Sequence, residues 1–530
     1  MLFLKLGGIV VPLHSHNLYC ILEKLLYGPP VCLADNCALF GKTGESMKQR
    51  FCIGFEVHQP FRLKKGFKPD FMGGTDDPME RYFDNANKEI LLRVCNKCYE
   101  PATTIILDQL DDGFCCAFSL SGVLIEQLEK WAPNVLELFT QAARHKNVEM
   151  IGQTYFHSIS SLFWTMDEFC NQVSLHRTLL EDIFGVTPQI FENTEFLFDN
   201  RIAATVRDLG YKGCFTEGVD HILGWRSPNY LYQCSGLPVI MRNFKLSDDI
   251  AFRFTCRDWD AWPLTADRYA HWISATPGDF VPVFIDYETL GEHYWVESGI
   301  FEFLRYLGAE MRRSDVQMVK PSDLLRFPVR EEFSIPAPIS WADAEKDGTA
   351  WIENRKQKNA FRAVQRAESF CTDKHTWRCL QISDHFYYMS CKHGSCGEVH
   401  TYFSHQPEHE AFITYMDVLA DFVGRSIPKM DKKEYLYPLR SVSIDEAFYF
   451  SSPFGYTGHV AFDIDQFAEM LQYAPSDSID FHHKRGDFAK WCRDVIKDEP
   501  LAQALEKARN RQELILAADT RRYELWTALR

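Results

Sequence analysis

Between residues 51 and 330, short apolar runs alternate with longer stretches of helical periodicity. The runs are Phe51–Val57, Thr103–Leu107, Cys115–Ser119, Val148–Gly152, Gln189–Phe191, Gly213–Phe215, Val239–Met241 and Val281–Ile285. Their length and composition predict strands. The amphipathic stretches between them, such as Leu124–Trp131, Val135–Lys146 and Arg201–Leu209, predict helices. Strands alternating with helices imply a parallel sheet, and this many units favour a barrel over an open sheet. An open nucleotide-binding sheet would want a glycine-rich phosphate turn after an early strand, and none follows. Pro282 lies near the start of its run, where a strand tolerates proline.

Beyond residue 300 the pattern becomes helical, with Phe301–Arg312, Asn359–Phe370 and Glu408–Val423 as the clearest segments. The Pro-rich stretch Phe327–Pro338 and a loop carrying Ser383–Met389 separate them. A basic linker, Arg425–Lys433, precedes a last unit with a strand at Ala447–Phe450, a Gly-Tyr-Thr-Gly turn at 455–458 and a C-terminal helix. The apolar segment Met1–Leu13 is shorter than the ~20 residues a membrane span needs, and no signal-peptide pattern accompanies it. Residues 1–46 carry none of the motifs below; either Met47 is the native start or 1–46 is a loosely attached extension. The expected order is therefore the 1–46 extension, a barrel over 47–310, a helical bundle over 311–425 and a small α/β domain over 437–530.

With 530 residues, 46% of them apolar, the chain can fill more than one core. A net charge of −16 argues against nucleic acid or an anionic membrane as partner. The 17 cysteines are scattered without a disulfide spacing, which fits a reducing cytoplasm. Cys95-x-x-Cys98 has no second CxxC; Cys391 and Cys396 would have to be brought to it by the fold, and no metal site or cofactor is expected.

The densest chemistry follows the last apolar run: Asp286-Tyr287-Glu288-Thr289-Leu290-Gly291-Glu292-His293. The same grammar, an acid at a strand end, recurs in Phe191-Glu192-Asn193-Thr194-Glu195. Barrel enzymes place their reacting groups at strand C-termini, and two such carboxyls suggest paired-acid chemistry on a sugar. One acid would attack the anomeric carbon ionised while the other, protonated, serves the leaving oxygen, the two standing about 5–5.5 Å apart. Alternation puts Asp286 and Glu288 on one side of an extended segment, making Glu288 the second candidate acid.

Three further motifs accompany these: Phe55-Glu56-Val57-His58-Gln59-Pro60, Gly152-Gln153-Thr154-Tyr155-Phe156-His157, and Ser383-Asp384-His385-Phe386-Tyr387-Tyr388-Met389. The five in this order closely resemble glycoside hydrolase family 57, in particular its α-amylase-like branch, with support from Gly224–Tyr230 and Leu246–Phe254. The resemblance covers roughly residues 50–425 and implies an incomplete (β/α)7 barrel whose cleft is completed by a helical bundle. It implies a retaining mechanism on α-glucans, with Glu195 as nucleophile and Asp286 as general acid/base. His58, His157 and Asp384 would line the cleft. Gln59, Trp225, Glu288, His293 and His385 are further candidate substrate contacts. In one departure, Glu192 stands where the family pattern usually has Arg. If the segment stays extended, Glu192 and Glu195 face opposite sides.

Blander readings stand beside these. Asp248-Asp249 is read as a helix cap, and Trp259 and Trp262 as core. His482, His483 and Asp487 lack a fourth metal ligand and read as a structural pairing in a small domain sometimes fused to such enzymes. The leading expectation is a retaining α-glucan hydrolase acting on starch, glycogen or maltooligosaccharides. A 4-α-glucanotransferase or branching enzyme, a metal-dependent carbohydrate enzyme, and a non-catalytic glucan-binding regulator are the alternatives. Oligomeric state is not legible.

Overall fold

The computed structural model describes residues 3–6, 9–12, 49–70, 73–392 and 407–529. Cys396 lies outside them, as does most of the 1–46 segment. The chain divides into two compact units, Met1–Met47 and Lys48–Arg530. In the first, strands Phe3–Leu6 and Ile9–Pro12 pair antiparallel, Phe3 opposite Pro12.

The second unit is built on seven parallel strands: β1 (Gln49–Val57), β2 (Cys116–Leu120), β3 (Val148–Met150), β4 (Ile190–Glu192), β5 (Gly213–Glu217), β6 (Leu237–Arg242) and β7 (Val281–Asp286). One sheet runs β7-β1-β2-β3 and a second contains β6-β5-β4. Gly152, just past β3, joins them by accepting from Glu192 N and donating to Ile190 O, both at 2.9 Å. Between β6 and β7 no ladder forms; Asn243 N reaches Pro282 O at 2.8 Å. The barrel is thus incomplete, an α/β architecture with sheets that do not close.

Period-2 alternation divides every strand. On β1, Phe51, Ile53, Phe55 and Val57 pack outward under the helices, whereas Cys52 joins Ala117, Ile151, Ile190, Phe215, Ile240 and Phe284 in the barrel interior. A Cβ on Gly54 would lie 2.4 Å from the Phe284 ring, so Gly54 makes room for the phenylalanine filling the barrel.

Three expectations are corrected. Thr103–Leu107 is not a strand but part of the helix Glu100–Leu110, whose buried Ala102, Thr103, Ile105, Ile106 and Leu110 follow helical spacing. Its β-branched residues give the run a strand-like composition, but Pro101 sits at the helix start, where it is favoured. Gly455 to Gly458 is not a turn; it opens the strand Gly455–Ala461, which pairs with Phe448–Ser452, and the reversal falls at Pro453-Phe454. Ser383–Tyr387 is a short helix rather than loop. Three short strands lacked a signal: Leu231–Cys234, Val316–Met318 and Glu332–Phe333.

Helices Arg355–Ala367, Lys374–Cys379, Ser383–Tyr387 and Glu408–Ser426 bury Trp377, Phe386 and Tyr415 in one apolar cluster. The same cluster continues through Phe448, Phe450, Phe467, Phe488, Trp491 and Leu525, so residues 437–529 share a core with the helices. His482 ties this part internally: Nδ1 meets Asp487 Oδ2 at 2.9 Å and Nε2 accepts from Ser451 N at 2.8 Å. His483 Nε2 donates to Ala508 O at 2.9 Å. These bonds occupy both nitrogens of His482 and Nε2 of His483 in structural roles. Among the described residues no helix is long and apolar enough to cross a membrane.

Asp421 latches the excursion after β1 onto the helical region. Its fully buried carboxylate accepts from Arg81 Nε at 2.7 Å, Arg81 Nη2 at 3.0 Å, Tyr82 Oη at 2.9 Å and Asp70 N at 2.8 Å. Removing one partner of a buried ion pair leaves the other charge uncompensated. Asp421→Ala should therefore lower the unfolding free energy by about 3 kcal/mol in chemical denaturation; a loss well under 1 kcal/mol would show that the latch is incidental.

Candidate active site

Alternation delivers one polar side chain from nearly every strand end to a single level of the barrel. Glu56 lies beside Asp286 on one side and Ser119 on the other in strand register, and Glu217 beside Arg242. Glu192 ends β4, and Gln153 follows β3. These groups bond across the interior. Gln153 Nε2 donates to Glu56 Oε1 at 2.9 Å and to Ser119 Oγ at 2.8 Å, while Ser119 Oγ donates to Glu192 Oε2 at 3.1 Å. Arg242 Nη1 donates to Glu217 Oε2 at 2.8 Å, Nη2 to Asp248 Oδ1 at 2.7 Å and Nε to Phe284 O at 2.7 Å. The Arg242–Phe284 bond spans the seam between β6 and β7 that lacks a ladder. Asp248, expected as a cap, anchors this arginine instead; Asn243 caps the helix.

Above this level the chain leaves β4 at Glu192 and turns sharply. Glu195 and Phe196 both adopt left-handed backbone, at φ 58° and 57°, a conformation costing about 1 kcal/mol or more for a non-glycine residue. Phe196 N donates to Asn193 O at 2.7 Å and Asn193 Nδ2 to Leu197 O at 2.7 Å, holding the turn. The extended-chain argument placing Glu192 and Glu195 on opposite sides therefore does not apply.

Three donors surround the Glu195 carboxylate. Trp341 Nε1 donates to Oε2 at 2.7 Å, Ser383 Oγ to Oε1 at 3.2 Å, and His157 Nε2 stands 3.4 Å from Oε1. Trp341 stacks on Phe196 and lies under the Arg242 guanidinium. The other His157 nitrogen, Nδ1, lies 2.9 Å from Gln153 Oε1 and 3.5 Å from Glu56 Oε1. Burial alone would suppress the charge on His157, but Glu56, Glu195 and Asp384 carry it up to about 9. His58 stacks on His157 with centroids 4.1 Å apart. Burial and the neighbouring charge push His58 down to about 4, so its neutral ring joins Ser121 Oγ (2.7 Å, at Nδ1) to Asp384 Oδ2 (3.2 Å, at Nε2). Burial disfavours the Asp384 carboxylate, yet the His58 hydrogen bond and the charge of His157 hold it below the usual carboxylate range.

Asp286 behaves oppositely. Burial first, then the negative field of Glu195, raises it to about 7, against the opposing charges of Arg242 and His157. Glu195, Asp286, His58, His157 and Asp384 thus converge on one electrostatic neighbourhood. Glu288 falls in a one-turn helix after β7, where alternation ends. It is buried, receives the Tyr99 hydroxyl and a Gln59 bond, and is raised to about 8 by burial and Asp286.

The remaining candidates stand apart from the two acids. Gln59 also accepts from Arg62 and, through its carbonyl, from Gln127. His385 is buried against Tyr415 with Nε2 on Cys379 O at 3.2 Å. His293 is half-buried, and desolvation lowers it to about 4. Trp225 is 88% exposed, covered on one face by Arg226. Cys95 and Cys98 are buried thiols, and no group of metal-ligating side chains occurs among the described residues. Trp341 and Arg242 escaped sequence reasoning. Arg242 was findable, as the first polar inward position after Ile240 on β6; Trp341 follows the Pro-rich stretch and shows no periodic signal.

A seven-stranded incomplete barrel with two carboxyls just past its strand ends is compatible with paired-acid chemistry on a glycoside. The model of Glycosyl hydrolase family 57 matches residues 52–338. A Methanocaldococcus jannaschii protein named "Putative alpha-amylase" is 43% identical over 392 residues, covering 70% of this chain and 83% of the relative. The chain belongs to glycoside hydrolase family 57. Its fold resembles two solved branching enzymes of that type. For the one from Pyrococcus horikoshii the TM-score is 0.52 at 15% identity, covering 74% of this chain and 93% of that one. For the one from Thermococcus kodakaraensis, solved with glucose, the values are 0.53, 12%, 82% and 96%.

If the field of Glu195 helps keep Asp286 protonated, Glu195→Gln should let Asp286 ionise at lower pH. Carboxyl-carbon NMR of aspartate-labelled protein reads that midpoint; an unchanged midpoint would contradict the proximity of the two groups.

Proposed function

We propose that the protein is a retaining α-glucan hydrolase of α-amylase type, with Glu195 as nucleophile and Asp286 as general acid/base. The observation that carries this reading is the contrast between the two acids. Glu195 has its carboxylate held and oriented by Trp341, Ser383 and His157, as a nucleophile must be. Asp286, half-buried beside that charge, holds its proton to about pH 7, as a group must that gives a proton to the leaving oxygen and later takes one from water. One carboxylate held by donors beside a second acid that keeps its proton is the usual arrangement for double displacement.

In this mechanism His58, His157 and Asp384 line the subsite at the bond to be cleaved. His157 opposes the charge of Glu195 before attack, and the Asp384–His58–Ser121 chain fixes one tautomer of His58. The sequence pattern and the M. jannaschii relative's name support an α-1,4-glucan as substrate. Residues 47–310 supply the two acids, 311–425 supply Trp341, Ser383 and Asp384, and the C-terminal part shares an apolar core with the helical region.

Incubation of the pure protein with maltoheptaose separates hydrolysis from transfer: new reducing ends are expected. Redistribution of chain lengths without them would make the protein a glucanotransferase. Glu195→Gln should lose turnover by about three orders of magnitude or more while still binding glucan; normal turnover in this variant would remove the nucleophile assignment. Because Asp286 must enter the first step protonated, kcat/KM should fall as pH rises through about 7. A profile flat well above that pH would contradict Asp286 as the acid.

A further inference from the structure

Beneath the proposed nucleophile lies a pair of acids that the mechanism above does not use. Glu56 and Glu192 come from the two different sheets, on β1 and β4, and both side chains are buried. The two carboxyls act directly on each other and are joined through Gln153 and Ser119, Gln153 Nε2 donating to Glu56 Oε1 and Ser119 Oγ, and Ser119 Oγ to Glu192 Oε2. Two carboxylates cannot bond without a proton between them. The remaining contacts agree: Glu56 Oε2 finds no donor elsewhere, although it is shut away from water. Glu192 takes Ser119 Oγ on one oxygen and Phe196 N, at 3.4 Å, on the other. No lysine or arginine contacts either acid among the described residues; the charged or ionisable groups facing them are His157, Glu195 and Cys214.

The pair does not float free of the active site. Glu56 Oε1 faces His157 Nδ1 at 3.5 Å and accepts from Gln153, whose own Oε1 lies 2.9 Å from the same His157 nitrogen. On the far side of the imidazole, Nε2 faces Glu195. Phe196 N, which bonds Glu192, belongs to the residue after Glu195 in the left-handed turn. The acid pair therefore touches Glu195 by two routes, through the imidazole and through the backbone.

We propose that Glu56 and Glu192 share one proton and, with Gln153, act as positioning residues that keep His157 charged against Glu195. With one proton, the pair presents a single negative charge to Nδ1 of His157. With none, two buried like charges would repel across the barrel; with two, His157 would lose its counterion. Retention of the shared proton is favoured because burial raises both acids, while the charge of His157 opposes a further proton on Glu56. Glu192 thereby fills, as a proton-sharing acid, a position where a cation would make a simple ion pair with Glu56. The proposal rests on Glu195 being the nucleophile only in what the positioning is for; the shared proton and the charged histidine are properties of the ground state.

The test uses two readouts that need no turnover, on the full chain. Nitrogen-15 NMR of histidine-labelled protein, assigned with His157→Asn, should show His157 as an imidazolium at neutral pH. Glu56→Gln should lower its midpoint by about one pH unit or more, and Glu192→Gln should leave it charged, because the introduced amide donates to Glu56 without a shared proton. Infrared difference spectra of carbon-13-glutamate protein should show protonated-carboxyl intensity at neutral pH that Glu192→Gln removes. In kinetics, Glu56→Gln should lower kcat about tenfold, with KM for maltoheptaose moving about twofold or less. A neutral His157 in the wild type, or a midpoint unmoved by Glu56→Gln, would overturn the proposal. Protonated-carboxyl intensity unchanged in Glu192→Gln would do so as well, even if Glu56→Gln failed to fold. Normal turnover in Glu195→Gln with these spectra intact would instead sink the nucleophile reading alone.

Discussion

Burying carboxyl groups in the middle of a protein is expensive unless each finds a cation, a donor or a proton. At one level of this barrel Glu56, Glu192 and Glu217 are enclosed with Asp286 half-buried beside them, and Arg242 is the guanidinium among them. The local structure follows from how that surplus is neutralised. Arg242 serves Glu217 and the β6–β7 seam; His157 serves Glu56 on one face and Glu195 on the other; Glu192 and Asp286 answer burial with raised proton affinity. One physical rule, that buried charge must be answered nearby, thus gives the two proposed reacting acids different surroundings, donors around Glu195 and a raised proton affinity at Asp286.

The same rule explains why the helical region belongs to the site. The barrel mouth alone offers His157 to Glu195. The indole of Trp341 and the hydroxyl of Ser383 arrive from beyond the last strand, and Asp384 adds the charge that orients His58. Those groups keep their places because helices Arg355–Ala367 and Glu408–Ser426 pack in a core that runs on to Leu525, and because Asp421 fastens the excursion after β1 to the same helices. Distant packing is in this sense part of the chemistry at the mouth.

Much of this was legible along the chain, for identifiable reasons. The strand ends were readable because apolar runs such as Val281–Ile285 stop at acids, and the inward positions because strands alternate. Asp286, Glu195, His58, His157 and Asp384 emerged from their motifs and do share one neighbourhood. What escaped was whatever depends on leaving regular structure. Glu195 sits in a left-handed turn that alternation cannot describe, and Glu288 follows a strand that has already ended. Trp341 lies in irregular chain, where no periodicity exists to be read. Thr103–Leu107 misled because β-branched composition can be overruled by a helix that buries one face.

The claim that stands or falls first is that Glu195 forms a bond to sugar. Reaction with a fluorinated maltosyl fluoride, which slows breakdown of a glycosyl-enzyme more than its formation, followed by proteolysis and mass spectrometry, asks this directly. A maltosyl-type adduct on the peptide containing Glu195 is the expected result. An adduct on another carboxylate, or an active enzyme that accumulates none, would contradict the central assignment.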